Sequence, residues 1–319
     1  MVLILTETRE ECVNSVIEWL FHYDCTFVRI NSEDIVENVN ISFVDNVRVL
    51  NLKYKSQNID LSKIKSIWFR KGDFFYNNPN IKFNLDDLVL QKQVEYFLQN
   101  EWNTKATYFN YFLKYQTLIS IGDNFQIKSN KLYALLEATK VGFKTPITII
   151  SDSKEIILKI FNVNDKIITK GIQEVFAIKK NTENWGTYTE NITTESISEQ
   201  SFFPSCFQEL VVKKADIRVF YLDGYFDSFA IITDSQNVDF RKDYSGKQRC
   251  IPFKLPLDIQ EKIHIMMKNM KMNTGSIDLV YSKDKEFYFL EVNPYGQYSG
   301  FSDECNYYIE KKIAQYLYV

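Results

Sequence analysis

The chain has little of what several enzyme classes need. Its 319 residues include two histidines, His22 and His264, so hydrolysis driven by an imidazole has almost nothing to draw on. His22 ends a predicted amphipathic helix and His264 falls in the helical pattern 257–270, and both read as structural. The five cysteines, at 12, 25, 206, 250 and 305, form no CxxC pair and are odd in number, which argues against a zinc cluster and suits reduced thiols in the cytoplasm. Ten glycines leave little material for phosphate loops, and neither GxxxxGK[ST] nor GxGxxG occurs, so a nucleotide site here must use another design. No apolar run approaches a membrane span, and the start Met-Val-Leu-Ile-Leu-Thr-Glu turns acidic too soon for a signal peptide. With 38 basic and 41 acidic residues the net charge is -3, which offers no electrostatic reason to expect nucleic acid or an anionic membrane as partner. What remains is an ordinary soluble globular composition, 45% hydrophobic, long enough for two or three subdomains.

One stretch stands out from this background. In Ser276-Ile277-Asp278-Leu279-Val280 and again in Phe287–Asn293 the residues alternate with period two, and the polar run Ser282–Lys285 lies between, which predicts a β-hairpin. A two-residue loop at Asp284 and Lys285 sets Lys283 against Glu286 and, counting outward, Asp278 against Glu291, with Asn293 on the same face. Strict alternation puts Tyr288, Leu290 and Val292 on one face and Phe287, Phe289 and Glu291 on the other. Two carboxylates facing each other repel. Either a cation sits between them, and Mg²⁺ with its taste for carboxylate and amide oxygens fits that place, or the hairpin is exposed and its acids are simply solvated. Spacing alone leaves both open.

The rest of the chain supplies further candidates, each with a plainer alternative. A strand at 2–5, a helix over 10–21 and a strand at 27–30 have the rhythm of a small α/β layer. The strand 64–70 delivers Arg70 and Lys71 at its C-terminal end, where open α/β sheets present ligand groups; Arg70 meets either a substrate or an acid. A helix is predicted over 85–102, with a domain boundary near 115. Asn130 caps a short helix that begins with Lys131 and closes at Gly142, and strands follow at 146–150, 166–169 and 174–178. Lys170, at the end of an apolar strand, suits a phosphate or guards a sheet edge. The segment 179–189 reads as a hairpin tip able to cover a ligand, or as an idle loop. Strand 207–212 ends in a turn before Lys213, and such a hinge offers backbone groups to an adenine edge while Asp216 accepts from ribose hydroxyls; a core hairpin has the same pattern. Arg241, within 238–243, carries the fork that suits phosphoryl oxygens, or belongs to a solvated turn.

In chain order, Lys131, Lys170, Gln208-Glu209, Asp216-Ile217-Arg218, Asp239-Phe240-Arg241, Asp278 and Leu290-Glu291-Val292-Asn293-Pro294 resemble the motif series of the ATP-grasp ligases, over nearly the whole chain. The opening Leu3–Glu7, Trp68-Phe69-Arg70-Lys71 and the tail Glu291–Gly300 look most like the peptide maturases of the graspetide (microviridin-type) systems, particularly the grasp-with-spasm branch. The resemblance implies an ATP-grasp fold of mixed α/β and α+β class. It divides into an N-terminal α/β pre-ATP-grasp domain at 1–115, a central subdomain at 116–200 and a C-terminal subdomain at 201–319, the last two α+β and enclosing the nucleotide. It implies Lys131 and Lys170 on the ATP phosphates, the stretch Gln208, Glu209, Leu210 and Val211 against adenine with Asp216 beyond it, and Asp278, Glu291 and Asn293 on Mg²⁺. Lys170, Arg218 and Arg241 become the catalytic cations.

In that family ATP phosphorylates an Asp or Glu side chain of a precursor peptide, and a Ser or Thr hydroxyl or a Lys amine of the same peptide then closes an ω-ester or ω-amide ring, with release of ADP and phosphate. The precursor's leader segment is expected to dock somewhere within 145–200. The resemblance further implies a homodimer in the cytoplasm. An amino-acid (glutamate-type) ligase of the same fold, acting on a peptide or small acid, and a non-catalytic peptide-binding module are the competing readings.

Overall fold

The computed structural model describes residues 1–34, 36–44, 47–72, 85–123, 130–162, 165–172, 177–180, 183–186, 189–233 and 249–318. The chain forms two compact units. The first comprises Met1–Ile127, Gln297–Ser302 and Tyr308–Val319, and the second Lys128–Gly296 and Asp303–Tyr307.

The first unit is built on a parallel sheet. Its strands β1 (Val2–Thr6), β2 (Phe27–Asn31), β6 (Ser66–Phe69) and β7 (Ile119–Ile121) lie in the order β2-β1-β6-β7. Every residue of β1 is buried, as a parallel strand with both faces covered requires. Helix α1 (Glu11–His22) links β1 to β2, and α2 (Leu88–Gln116) precedes β7. Between β2 and β6 lies an antiparallel sheet of β3 (Val36–Val44), β4 (Val47–Tyr54) and β5 (Gln57–Asp60), which the sequence reading did not assign.

Helix α2 also departs from expectation. It runs to Gln116 rather than stopping near 102, and its buried residues, Ala106, Phe109, Asn110 and Leu113, all lie beyond the expected end. Asp87 caps it, its carboxylate accepting from the amides of Val89 and Leu90. Helix α7 (Ile309–Leu317) returns to pack beside α1. Of the two uses open to Arg70, the structure shows the acid: the guanidinium is buried, donates to Glu10 Oε1 at 3.1 Å, and lies 5.3 Å from the centre of the Tyr298 ring.

The second unit carries two main sheets. The first joins β8 (Thr148–Ser153), β9 (Ile167–Lys170), β12 (Glu190–Ile192) and β13 (Ser201–Glu209) in the order β12-β9-β13-β8. Helix α4 (Lys154–Ile160) lies within this region, and β10 (Ala177–Lys180) pairs with β11 (Glu183–Gly186) as a separate hairpin, so that strands occupy part of the segment 179–189 expected as a tip. The second sheet is antiparallel, β16-β15-β14-β17-β18, from β14 (Lys213–Leu222), β15 (Tyr225–Ile232), β16 (Arg249–Pro252), β17 (Thr274–Ser282) and β18 (Phe287–Asn293). One face of it packs on α3 (Lys131–Lys140) and α5 (Leu257–Asn269) through Ile217, Val219, Ile277, Leu279, Phe289, Ala134, Ala138, Ile263 and Met266. His264 sits on α5, the helix expected there, with Nδ1 2.9 Å from Tyr221 Oη. Helix α6 (Ser299–Cys305) lies where the chain passes between the units.

On the other face of the second sheet, Asp227 of β15 is 8% exposed, and burial raises its carboxyl from 3.8 to about 7. A folded-state value above the unfolded one means that the native protein keeps a proton which the unfolded chain releases. The stabilisation is therefore full below pH about 4 and is lost toward pH about 7, up to roughly 4 kcal/mol. Asp227→Asn should flatten this slope, which melting temperatures of both proteins across that pH range will test; parallel slopes would show that Asp227 does not govern it.

Candidate active site

The hairpin β17–β18 places Asp278 opposite Glu291, and Ser276 opposite Asn293. It reaches that register by a different route from the one expected. Near the turn Tyr281 pairs with Phe287 and the Ser282 amide donates to Glu286 O, so the loop holds three residues rather than two. Lys285 at its end takes φ 63°, the left-handed position that closes such loops. A bulge between Asp278 and Leu279 on one strand and Phe289 and Glu291 on the other then absorbs the extra residue. The bulge corrects the strict alternation: Phe289 and Val292 together enter the core, while Glu291 turns to the opposite face, beside Asp278.

On that face each acid meets a base. Arg218, directly across β14 from Asp278, forms a two-pronged contact, Nε to Oδ1 at 2.8 Å and Nη2 to Oδ2 at 3.0 Å. Lys131 Nζ lies 2.9 Å from Glu291 Oε2. The four side chains are each between 20% and 27% exposed, so the pairs are partly screened. Burial raises the Asp278 carboxyl, Arg218 pulls it down and the charge on Glu291 pushes it up again, and the balance is upward. For Glu291 burial is also the largest influence and raises it, but Lys131, Lys170 and Arg218 together hold it below the ordinary range.

Local structure explains how Lys131 arrives there. Asn130 caps α3 by accepting from the amides of Leu132 and Tyr133. A lysine in the first turn opposes the helix dipole, and its contact with Glu291 offsets that cost. Helix α3 packs against β18, and the Phe289 amide donates to Lys144 O at 2.9 Å, which ties the chain just beyond the helix to the same strand. Lys170, at the end of β9, pairs across the strand with Cys206 and is close enough to act on Glu291. Lys131, Lys170, Arg218, Asp278 and Glu291 are therefore brought together. Asn293 is exposed at the end of β18, its Oδ1 accepting from the Tyr295 amide at 3.0 Å, with a second lone pair left over. Asp278, Glu291 and Asn293 form an all-oxygen donor set on one face, which fits a hard divalent ion such as Mg²⁺.

The expected hinge lies between β13 and β14. Gln208 is buried with Nε2 donating to Thr148 Oγ1 at 2.8 Å, the Glu209 amide donates to Ile147 O, the Leu210 amide donates to Lys166 O, and the Lys283 amide donates to Val212 O. The Val211 amide has no partner among the described residues. Asp216 pairs with Lys213 at 2.6 Å, a partner that the sequence marks only by its place three residues before the acid. Arg241 lies outside the described residues.

This architecture has the ATP-grasp fold, with a pre-ATP-grasp domain first. Residues 1–107 match the family model of the MvdD pre-ATP grasp domain. Among solved structures, the chain is similar to the macrocyclase MdnC of Microcystis aeruginosa bound with precursor peptide MdnA, at a TM-score of 0.78 and 21% identity over 99% of both chains. It is equally similar to a RiPP-associated ATP-grasp ligase of Chryseobacterium gregarium in complex with ADP and a leader and core peptide, at 0.78 and 23% identity over 99% of this chain and 94% of that one. The ATP-grasp ligase PsnB, complexed with a phosphomimetic variant of a minimal precursor, Mg and ADP, follows at 0.72 and 15% over 99% and 97%. No curated protein matches the sequence.

The turn after β18 sets Asn293 by close approach. A Cβ on Gly296 would stand 2.0 Å from Ser276 Cβ and 2.1 Å from its Oγ, and Ser276 is buried and paired with Asn293. Gly296→Ala should cost about 1–3 kcal/mol by overpacking, and Ser276→Gly should recover part of it. Melting temperatures of the two single variants and the double variant measure the coupling; additive effects would mean that the two residues do not press on each other.

Proposed function

We propose that the protein is an ATP-dependent peptide macrocyclase, an ADP-forming ligase that phosphorylates Asp or Glu side chains of a ribosomally made precursor peptide. It then joins them to Ser or Thr hydroxyls or Lys amines as ω-esters or ω-amides. The observation that carries this reading is the doubled ion pair, Arg218–Asp278 beside Lys131–Glu291, in a chain that shares its fold from end to end with precursor-bound ligases.

In this reading Lys131 and Lys170 would hold the ATP phosphates and Arg218 would turn to the transferred phosphoryl group, which would leave Asp278 and Glu291, with Asn293, to hold Mg²⁺. The bound ion would supply neutralising charge at the phosphates. Gln208, Glu209, Leu210 and Val211 line the adenine, where the Val211 amide is a ready donor, and Asp216 turns to the ribose. Lys170, Arg218 and Arg241 offset charge as the γ-phosphoryl group passes to the peptide carboxylate. The acyl phosphate so formed is attacked by the hydroxyl or amine, phosphate leaves, and each link removes one water from the peptide overall. No nucleophile of the protein itself is required.

The same proposal includes the division into 1–115, 116–200 and 201–319, with β7 joined to the first unit's sheet and β13, the first strand of the last segment, paired with β8 and β9 of the middle one. The leader segment would dock within 145–200, where α4 exposes Ile156, Leu158 and Ile160. A cytoplasmic setting is supported by free cysteines throughout, and no helix among the described residues is long and apolar enough to cross a membrane. A homodimer is supported by α2, whose Val89, Tyr96, Phe97, Tyr111 and Tyr115 are exposed at helical spacing along one side.

Purified protein incubated with Mg-ATP and a candidate precursor should yield peptide lighter by one water per link. A gain equal to one amino-acid residue would instead establish the amino-acid ligase, and a bound but unchanged peptide without ATP turnover would establish the binding module. Sedimentation at micromolar protein should give the mass of two chains, and the mass of one chain would remove the dimer from the proposal.

A further inference from the structure

Away from the charged site, two thiols meet over the same sheet face. Residues paired across antiparallel strands share a face, and the row Cys250, Ile231, Asp216, Val280 runs beside the row Pro252, Phe229, Arg218, Asp278, Glu291. Cys250 therefore stands at the sheet edge, two strands from Asp216 or about 10 Å away. Cys305 ends α6, within the short stretch Asp303–Tyr307 that belongs to the second unit while the chain on either side belongs to the first. Its Sγ is 3.8 Å from that of Cys250. The stretch is held in place independently, because Tyr307 Oη donates to Ser228 O at 2.5 Å, and Asn306 and Tyr308 take φ values of 55° and 54°, which fix the backbone around Cys305 in a conformation side chains rarely adopt. No other cysteine pair is in contact among the described residues.

We propose that Cys250 and Cys305 are a reversible disulfide pair, closed by a peroxide, that staples residues 303–307 to the edge strand β16. The partly exposed Cys250 thiolate attacks a peroxide oxygen; the O–O bond breaks, Cys250 becomes a sulfenic acid and one water leaves. The Cys305 thiolate then attacks that sulfur, the S–S bond forms and the hydroxyl departs as a second water, so two thiols are oxidised by two electrons and one hydrogen peroxide is reduced. The sulfur atoms must close from 3.8 Å to about 2.05 Å. Burial, with the neighbouring sulfur adding to it, pushes the Cys250 thiol well up, and burial raises Cys305 as well. The reaction should therefore be slow at neutral pH and quicken as pH rises. The closed loop contains β17 and β18, and with them Asp278, Glu291 and Asn293. The inference rests on the geometry of the second unit and stands whether or not the ligase reading holds.

Reduced full-length protein treated with hydrogen peroxide, digested and mapped by mass spectrometry should show a Cys250–Cys305 peptide pair two hydrogens lighter than its thiols. Titratable thiols should fall from five to three, dithiothreitol should restore all five, and the oxidised protein should melt higher than the reduced. Cys250→Ser and Cys305→Ala should each abolish the linked peptide and the rise in melting temperature. Five thiols persisting after peroxide, or oxidation of these sulfurs to sulfinic acid with no linked peptide, would overturn the proposal, and the wild-type map decides even if a variant fails to fold.

Discussion

Two carboxylates facing each other across a β-ladder are the constraint around which the second unit is arranged. Cross-strand neighbours stand about 4.5–5.5 Å apart at Cβ, and like charges there destabilise the sheet. Asp278 and Glu291 are kept in register because each has its own base, drawn from a different element: Arg218 from the adjoining strand and Lys131 from the first turn of a helix. Removing one member of a well-buried ion pair costs about 3–5 kcal/mol, since the other is left uncompensated; at roughly one quarter exposure the cost here is smaller. The pairs therefore do little for stability that an apolar row would not do better. In the proposed function their value is that four charges are held at fixed places on one face, where a ligand could draw the bases away without rebuilding the sheet.

The surroundings serve that face. Ile277, Leu279, Phe289 and Val292 fasten the hairpin to α3 and α5 from behind, so the charged side is carried by a packed layer rather than by a loop, which keeps such a site precise. Gly296 closes the turn tightly over Ser276 and aims Asn293 along the same face. The hinge after β13 leaves the Val211 amide without a partner among the described residues, while the amides of Glu209 and Leu210 are engaged in the fold. A nucleotide and its ion would thus meet groups already in position.

How much of this could be read in advance varies with the distance along the chain over which the cause acts. The pairing of Asp278 with Glu291 followed from period-two alternation, although it survived two errors that cancel: a loop one residue longer than expected and a bulge that takes the residue back. Which face Glu291 occupies could not be read, because a bulge leaves no mark in a simple alternation. Lys131 did leave a mark, being the wrong charge for the start of a helix. The clamp of Arg218 on Asp278 joins residues 60 positions apart, and no local pattern sets the register of β14 against β17. In the first unit, the second half of α2 was missed because polar and aromatic residues from Asn103 to Tyr111 blur its stripe, and β3–β5 because their alternation is broken by asparagines and charged residues. Arg241, which only the order of motifs pointed to, remains an assignment from sequence.

The central claim is that the facing acids exist to hold a divalent ion beside a nucleotide. Electron paramagnetic resonance of Mn²⁺ titrated into the protein with ADP present tests it without need of a peptide. Wild-type protein should bind Mn²⁺ far more tightly than Glu291→Gln, which keeps the side chain's size but removes a ligand charge, with both proteins giving the same circular dichroism. Equal Mn²⁺ affinity in the two folded proteins would contradict the account.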